Sequence, residues 1–219
     1  MKNIKLNKDQ KDLLIGTLLG DGNLRSETQG RTWCYRAVHK KAHKEYLFHK
    51  YDIMQSFCSS PPNYSVDLDG ETNKTSKRLS FNTNVYSCLT FYGNLFYYHN
   101  KMNGRLVKDV PFNIEKFLTP KAIAFWYMDE GALKWSGKCN AMRLCTEAFS
   151  VNGTKRLQKA LKSLYNVNTN LVQKTNNGAF LGYRLSINEA NSSNFASLIE
   201  PYLVKCMRYK VSSGLKGHL

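Results

Sequence analysis

The 219-residue chain carries 32 Lys and Arg against 16 Asp and Glu, a formal charge of +16. With 42% hydrophobic and 22% charged residues it can bury a core, which excludes a disordered tail. So large a basic excess implies a polyanionic partner, most simply nucleic acid.

The elements follow in chain order. Asp9–Leu19 reads as a helix, with Asp9 or Asp12 able to cap its start and Leu13, Leu14, Thr17 and Leu18 recurring on one face. Gly20-Asp-Gly22 breaks it. Residues 23–40 alternate through Trp33, Tyr35 and Val38 as a hairpin around Gln29-Gly30. Lys41–Phe57 is helical and ends before Ser60-Pro-Pro62. Residues 63–70 and 76–84 form a second hairpin turning at Asp69-Gly70, and Val85–Tyr98 is another helix. After the Asn103-Gly104 turn signal and Pro111, a helix opens at Thr119-Pro120, where Thr caps and Pro takes the first turn. Strands near 132–147, a helix near 151–165, strands near 168–175 and 179–188 and a helix near 190–203 complete the chain.

The order α-β-β-α-β-β-α therefore occurs twice. The fold class is α+β: two tandem αββαββα repeats related by a pseudo-twofold, residues 1–99 and 118–219, joined by a linker at 100–117. Three residue pairs support the duplication. Leu14-Ile-Gly-Thr-Leu-Leu-Gly-Asp-Gly22 and Ile123-Ala-Phe-Trp-Tyr-Met-Asp-Glu-Gly131 end alike, which places Asp21 and Glu130 109 positions apart. Arg78-Leu-Ser-Phe-Asn82 and Arg184-Leu-Ser-Ile-Asn188 are offset by 106, and Val107-Lys108 and Tyr209-Lys210 by 102.

Several classes of protein are disfavoured. Basic residues are interleaved with Asn, Tyr and Ser along the chain, unlike the single polybasic segment of a membrane-surface binder. MKNIKLNKDQKD has no apolar core for a secretory signal, and Leu13–Leu19 and Ala122–Met128 are too short to span a bilayer. Cysteines 34, 58, 88, 139, 145 and 206 lack zinc-type spacing and read as reduced thiols of an intracellular protein, mostly small core residues.

Gly16 and Gly20, four apart, let a second helix backbone approach closely, a matter of sterics. If the helices ending at Asp21 and Glu130 pack side by side, two carboxylates meet and repel, and a divalent cation is the natural compensation. Hard oxygen ligands select Mg²⁺, which would polarise a phosphate, activate water and stabilise the leaving oxygen.

Both stretches resemble the LAGLIDADG motif, and nearly the whole chain is similar to the single-chain, intron-encoded homing endonucleases of that family. Ile15-Gly-Thr-Leu-Leu-Gly-Asp-Gly22 stands for the first motif, and Leu118-Thr-Pro120 followed by Ala124-Phe-Trp-Tyr-Met-Asp-Glu-Gly131 for the second. The resemblance implies a monomeric, Mg²⁺-dependent endonuclease that cuts both strands of double-stranded DNA at a long asymmetric site and leaves short 3′ overhangs. Mn²⁺ would substitute for Mg²⁺, and Ca²⁺ would bind without supporting cleavage. It implies metal ligation by Asp21 and Glu130 together with the backbone carbonyls of Gly20 and Asp129. Glu130 departs from the commoner Asp, which can unbalance the two cuts. It further implies a catalytic lysine beside each scissile phosphate: Lys108, in Lys108-Asp-Val-Pro111, and Lys210, after Pro201-Tyr-Leu203. An organellar location, mitochondrion or chloroplast, is expected, without a membrane partner.

The strands should read DNA. The candidate contacts are Arg25, Glu27, Gln29, Arg31, Arg36 and Lys40 on 23–40, and Arg78, Ser80, Asn82 and Asn84 on 76–84, opposite core-facing Leu79, Phe81 and Thr83. The second half offers Lys134, Lys138, Arg143, Glu147, Arg184, Ser186 and Asn188. Arg and Asn or Gln on one face of a twisted sheet suit the edges of G and A in the major groove. Two such saddles end to end would span roughly 20 base pairs. Two other readings compete. An intron maturase would share the fold but bind intron RNA, with or without cleavage. A duplicated DNA-binding regulator would have no use for the acidic pair.

Overall fold

The computed structural model describes residues 4–68, 75–135 and 139–211. Helix α1 spans Lys8–Leu18 and is followed by β1 (Asn23–Arg25), β2 (Cys34–Lys40), α2 (Lys44–Met54), β3 (Asn63–Leu68), β4 (Thr75–Asn82) and α3 (Ser87–Phe96). A short hairpin of β5 (Tyr97–His99) and β6 (Leu106–Lys108) leads to α4 (Pro120–Glu130). The order then repeats as β7 (Gly131–Leu133), β8 (Met142–Leu144), α5 (Val151–Tyr165), β9 (Asn170–Asn176), β10 (Ala179–Ile187) and α6 (Glu189–Ile199). The two four-stranded sheets have matching orders, β1-β2-β4-β3 and β7-β8-β10-β9, and every pairing is antiparallel.

The αββαββα order thus occurs twice, as the spacing predicts, but local details differ. Asn7, not Asp9 or Asp12, caps α1, in a reciprocal capping box with Gln10. Asp12 is buried and accepts a hydrogen bond from Thr119 Oγ1 at 2.8 Å, while Asp9 pairs with Lys121 at 2.7 Å. Both contacts join α1 to α4. The expected helix Lys41–Phe57 is α-helical only over Lys44–Met54, with 3₁₀ turns at either end. The helix expected over Val85–Tyr98 stops at Phe96, because Tyr97–His99 pairs with the linker as β5. The Asp69-Gly70 turn lies outside the described residues. All six cysteines are free, and they are half-buried at the edges of the core instead of within it.

The centre of the core is the α1–α4 contact. Ile123, Ala124, Phe125, Trp126, Tyr127 and Met128 are all at most 1% exposed, so α4 is buried on every side, as a helix apolar all round must be. Its contact with α1 leaves no room for side chains. A Cβ on Gly16 would lie 2.2 Å from the Ala122 carbonyl oxygen and 2.5 Å from Phe125 Cβ, and a Cβ on Gly20 would lie 2.4 Å from Asp129 Cβ. Alternate residues turn one face of each sheet into the core: Tyr35, Ala37, Leu79 and Phe81 in the first half, Met142, Leu144, Leu185 and Ile187 in the second.

Gly16→Ala tests this packing. Helix propensity alone favours the change by up to about 1 kcal/mol, but overpacking against rigid backbone costs about 1–3 kcal/mol or more. Urea denaturation is expected to show a net loss of stability. A more stable variant would contradict the close approach.

Candidate active site

Each helix ends close to a glycine. Gly22 N–H folds back to the Thr17 carbonyl at 2.9 Å, and Gly131 opens β7 directly after Glu130. The close approach of α1 and α4 brings Asp21 and Glu130 within hydrogen-bonding reach of each other. Burial and the neighbouring Asp129 charge raise the Asp21 carboxyl above its ordinary range. Burial, followed by the charges of Asp21 and Asp129, pushes Glu130 up to about 7. Two carboxylates that resist ionising together form a site suited to a divalent cation.

The two predicted lysines arrive at equivalent places. Lys108 Nζ donates to the carbonyls of Gly20 at 3.3 Å and Gly22 at 3.1 Å. Lys210 Nζ donates to the carbonyls of Met128 at 2.5 Å and Asp129 at 3.2 Å. Gly20 and Asp129 are repeat partners, each one residue before its acid, so each lysine caps the helix that carries the acid of its own half. Lys108 is delivered by β6, which pairs with β5 and is followed by Asp109, whose carboxylate accepts Ser150 Oγ at 2.6 Å. Lys210 ends a 3₁₀ turn whose backbone carbonyl accepts Tyr127 Oη at 2.7 Å. Burial lowers both lysine pKa values, opposed by the surrounding carboxylates.

Three residues that the sequence reading passes over complete the site. Lys50 and the Asp129 side chain are both 0% exposed and pair at 2.6 Å. Tyr46 Oη donates to the same Asp129 oxygen at 2.9 Å, and Lys50 Nζ lies 2.9 Å from His39 Nε2. The other Asp129 oxygen accepts the Asp21 backbone N–H at 3.1 Å. Burial and the Lys50 charge lower His39 to about 3, so its ring is neutral. Oxygen and nitrogen atoms of Asp21, His39 and Asp129 lie within 4.8 Å of one another. Both Asp129 carboxylate oxygens are already engaged, and the Gly20 and Asp129 carbonyls accept from Lys108 and Lys210, so Asp21 and Glu130 are the acids left to face a cation. A signal for Lys50 was present: it lies on the buried face Tyr46, Leu47, Lys50, Met54 of α2, and a lysine there requires a buried partner.

The predicted DNA-contacting residues divide into three groups. In the first sheet, Arg36↔Asn82, Val38↔Ser80 and Lys40↔Arg78 are cross-strand partners and share one face. Arg25 joins them through β1, as does Asn23, and Asn63 and Ser65 join through β3; these last three the sequence reading omitted. In the second sheet Arg143 faces Ser186, and Arg184 shares that face. Asn170, Val172 and Lys174 of β9, also omitted, extend it. Arg36 and Arg143, at corresponding positions of β2 and β8, each keep a buried Nε with no hydrogen-bond partner.

A second group departs from the expected strands. Glu27, Gln29 and Arg31 lie in the β1–β2 loop because β1 ends at Arg25, and Gln29 adopts φ 52° there. Asn84 and Lys134 lie just past β4 and β7. Asn188 follows β10 and caps α6 by accepting Asn191 N–H. Some members of the set are also already engaged or buried. Glu147 pairs with Arg184, which holds the Glu147 carboxyl below its ordinary range against the opposing effect of burial. Ser186 is 7% exposed. Lys138 forms the third group and lies outside the described residues.

The model of the LAGLIDADG DNA endonuclease family matches residues 11–195. The chain belongs to this family. It is 51% identical over 218 residues to DNA endonuclease I-ChuI of Chlamydomonas applanata, covering 99% of this chain and 100% of that protein. Cytochrome b mRNA maturase bI2 of Debaryomyces hansenii is more distant, at 27% identity over 96% of this chain and 76% of that one. The LAGLIDADG fold is shared with the homing endonuclease I-WcaI bound to its DNA recognition sequence, at a TM-score of 0.83, 21% identity and coverage of 95% and 88% of the two chains. I-DmoI in complex with DNA and Mn matches at a TM-score of 0.51 and 14% identity over 87% of this chain and 96% of that chain. Among the described residues no helix is long and apolar enough to cross a membrane.

The raised Glu130 pKa sets a pH dependence. Because the folded-state value of about 7 lies above the ordinary 4.5, the folded protein holds a proton that the unfolded chain has released. That contribution to stability is complete below 4.5 and is lost as pH rises through about 7. A cation competing for the carboxylate works in the opposite direction. The melting-temperature gain from added Ca²⁺ should therefore grow as pH rises through this window and disappear in Glu130→Gln. A gain that ignores pH would remove Glu130 from the cation site.

Proposed function

We propose that the protein is a homing endonuclease: a monomer that hydrolyses both strands of double-stranded DNA at a long, asymmetric site, with Mg²⁺ as cofactor and short 3′ overhangs as product. One observation carries this reading. Two acids of raised pKa meet at the ends of two paired helices, and a half-buried lysine stands behind each. We take residues 1–99 and 118–219 as the two halves and 100–117 as their linker, each half reading its own half-site. The match to a DNA endonuclease over the full length of both chains supports the reading. The more distant maturases keep intron RNA as a secondary partner, but the retained acidic pair favours cutting.

Asp21 and Glu130 would hold the cation, with the carbonyls of Gly20 and Asp129 completing the oxygen set. A bound divalent cation supplies Lewis-acid stabilisation of charge building on the phosphate oxygens. Mn²⁺, named in the I-DmoI complex, is the expected substitute, and Ca²⁺ is expected to bind without supporting cleavage. Lys108 and Lys210 would each place a desolvated ammonium near one scissile phosphate, where its field is strong because water is excluded. Water adds to phosphorus, the bond to the 3′ oxygen breaks, and that oxygen leaves with a proton. The polar sheet faces bearing Arg25, Arg36, Lys40, Arg78, Ser80, Asn82, Arg143 and Arg184 would lie in the major groove. Glu27, Gln29, Arg31, Asn84, Lys134, Lys138, Glu147, Ser186 and Asn188 remain in the proposed contact set. Relatives named for cytochrome b mRNA and for an intron-encoded endonuclease support an organellar gene product.

The target sequence comes from selecting cleaved sites out of a randomised library. On a plasmid carrying that site, Asp21→Asn and Glu130→Gln should each abolish linearisation in Mg²⁺ while retaining binding in Ca²⁺. Either variant cutting at the wild-type rate would overturn the assignment.

Lys108→Met and Lys210→Met should each slow cutting on the order of 100-fold, or about 2.7 kcal/mol, with opposite strand bias in end-labelled nicking assays. Rates within about threefold of wild type would reduce both lysines to surface cations.

A further inference from the structure

Asp129 and Gly20 are repeat partners, so one half of the site has a carboxylate where the other has none. That carboxylate is fully buried and has three donors from the opposite half of the chain: Lys50 Nζ at 2.6 Å, Tyr46 Oη at 2.9 Å and the Asp21 backbone N–H at 3.1 Å. Lys50 and Tyr46 are four residues apart on α2 and therefore share a face. Both donate to Oδ1, which fixes the rotamer and leaves Oδ2 aimed at Asp21. Lys50 also donates to His39 Nε2, which puts the ring proton on Nδ1, 3.9 Å from an Asp21 carboxylate oxygen. The Asp21 backbone and side chain thus both border the same buried assembly. Glu130 has no counterpart: its own N–H lies inside α4, and a glycine stands at the matching place in the first half.

We propose that Lys50 and Tyr46 are positioning residues, which act through the Asp129 carboxylate to fix the chain at Asp21 and so tie one of the two strand cuts to a buried ion pair that the other cut does not need. The proposal rests on the endonuclease reading for the cuts, but not for the geometry. A purely stabilising ion pair would have a different signature. Its loss would lower the melting temperature and slow both cuts in proportion.

The experiment uses Lys50→Met and the milder Tyr46→Phe, each assayed well below its own melting temperature. The first readout is strand-specific nicking of the selected site. The ratio of the two strand rates should change by about tenfold in Lys50→Met, the effect of one lost hydrogen bond, and by a smaller factor in the same direction in Tyr46→Phe. The second readout needs neither metal nor DNA: amide hydrogen exchange by NMR in the free protein. The Asp21 amide should exchange about tenfold faster in both variants, while the Glu130 amide changes by less than about threefold. If Lys50→Met does not fold, Tyr46→Phe alone decides. Equal slowing of both strands with an unchanged Asp21 amide would overturn the proposal and leave the ion pair a stabilising contact only. An accelerated Asp21 amide in a protein whose wild type cuts no DNA would overturn the endonuclease reading and leave the clamp standing.

Discussion

The close approach of α1 and α4 is the constraint on which the rest depends. Gly16 and Gly20 remove the side chains that would hold the two backbones apart, and the apolar surroundings of α4 hold them together. Because the helices end together, the first residue past the α1 turn and the last residue of α4 meet. Burial, together with the charge of the neighbouring Asp129, raises both acids above their ordinary range. Hydrophobic packing thereby places side by side two carboxylates that resist ionising together, an arrangement that a divalent cation would relieve.

Compensation comes from one buried and two half-buried lysines, each held on chosen acceptors. Lys108 and Lys210 are held by carbonyls at the helix C-termini, where the backbone dipole favours positive charge. Lys50 neutralises Asp129 inside the interface. Three lysines therefore surround three acids, and burial opposes ionisation of each catalytic candidate: it lowers Lys108 and Lys210 and raises Asp21 and Glu130. Groups poised in this way suit charge that appears only when a phosphate is attacked.

The duplication is faithful in architecture and unfaithful in chemistry. Sheet orders, helix ends and lysine positions repeat. The acids differ, Asp21 against Glu130, and so do the preceding residues, Gly20 against Asp129. The sheet faces differ too: Lys40 and Arg78 face each other across β2 and β4, whereas Arg184 is spent partly on Glu147. Such a chain suits a duplex whose two half-sites are unlike.

Local chemistry made much of this legible beforehand. Thr119-Pro120 marks the start of α4, the Gly20-Asp-Gly22 break marks the end of α1, and period-two alternation assigns Leu79, Phe81 and Thr83 to the core and Arg78, Ser80 and Asn82 to the open face. Tandem spacing was enough to pair Asp21 with Glu130 and Lys108 with Lys210, because a duplicated fold places equal offsets at equivalent points. What no local pattern contains is the partner of a buried charge. Nothing in the residues around Lys50 or Tyr46 names Asp129, some 80 positions away, as their acceptor. That Tyr97–His99 leaves its helix to pair with the linker, and that Asp12 meets Thr119 instead of capping α1, were likewise decided by tertiary contacts. Propensity and periodicity describe a segment's own backbone and faces, whereas a buried polar atom is satisfied by whichever donor the packed chain brings within 3 Å.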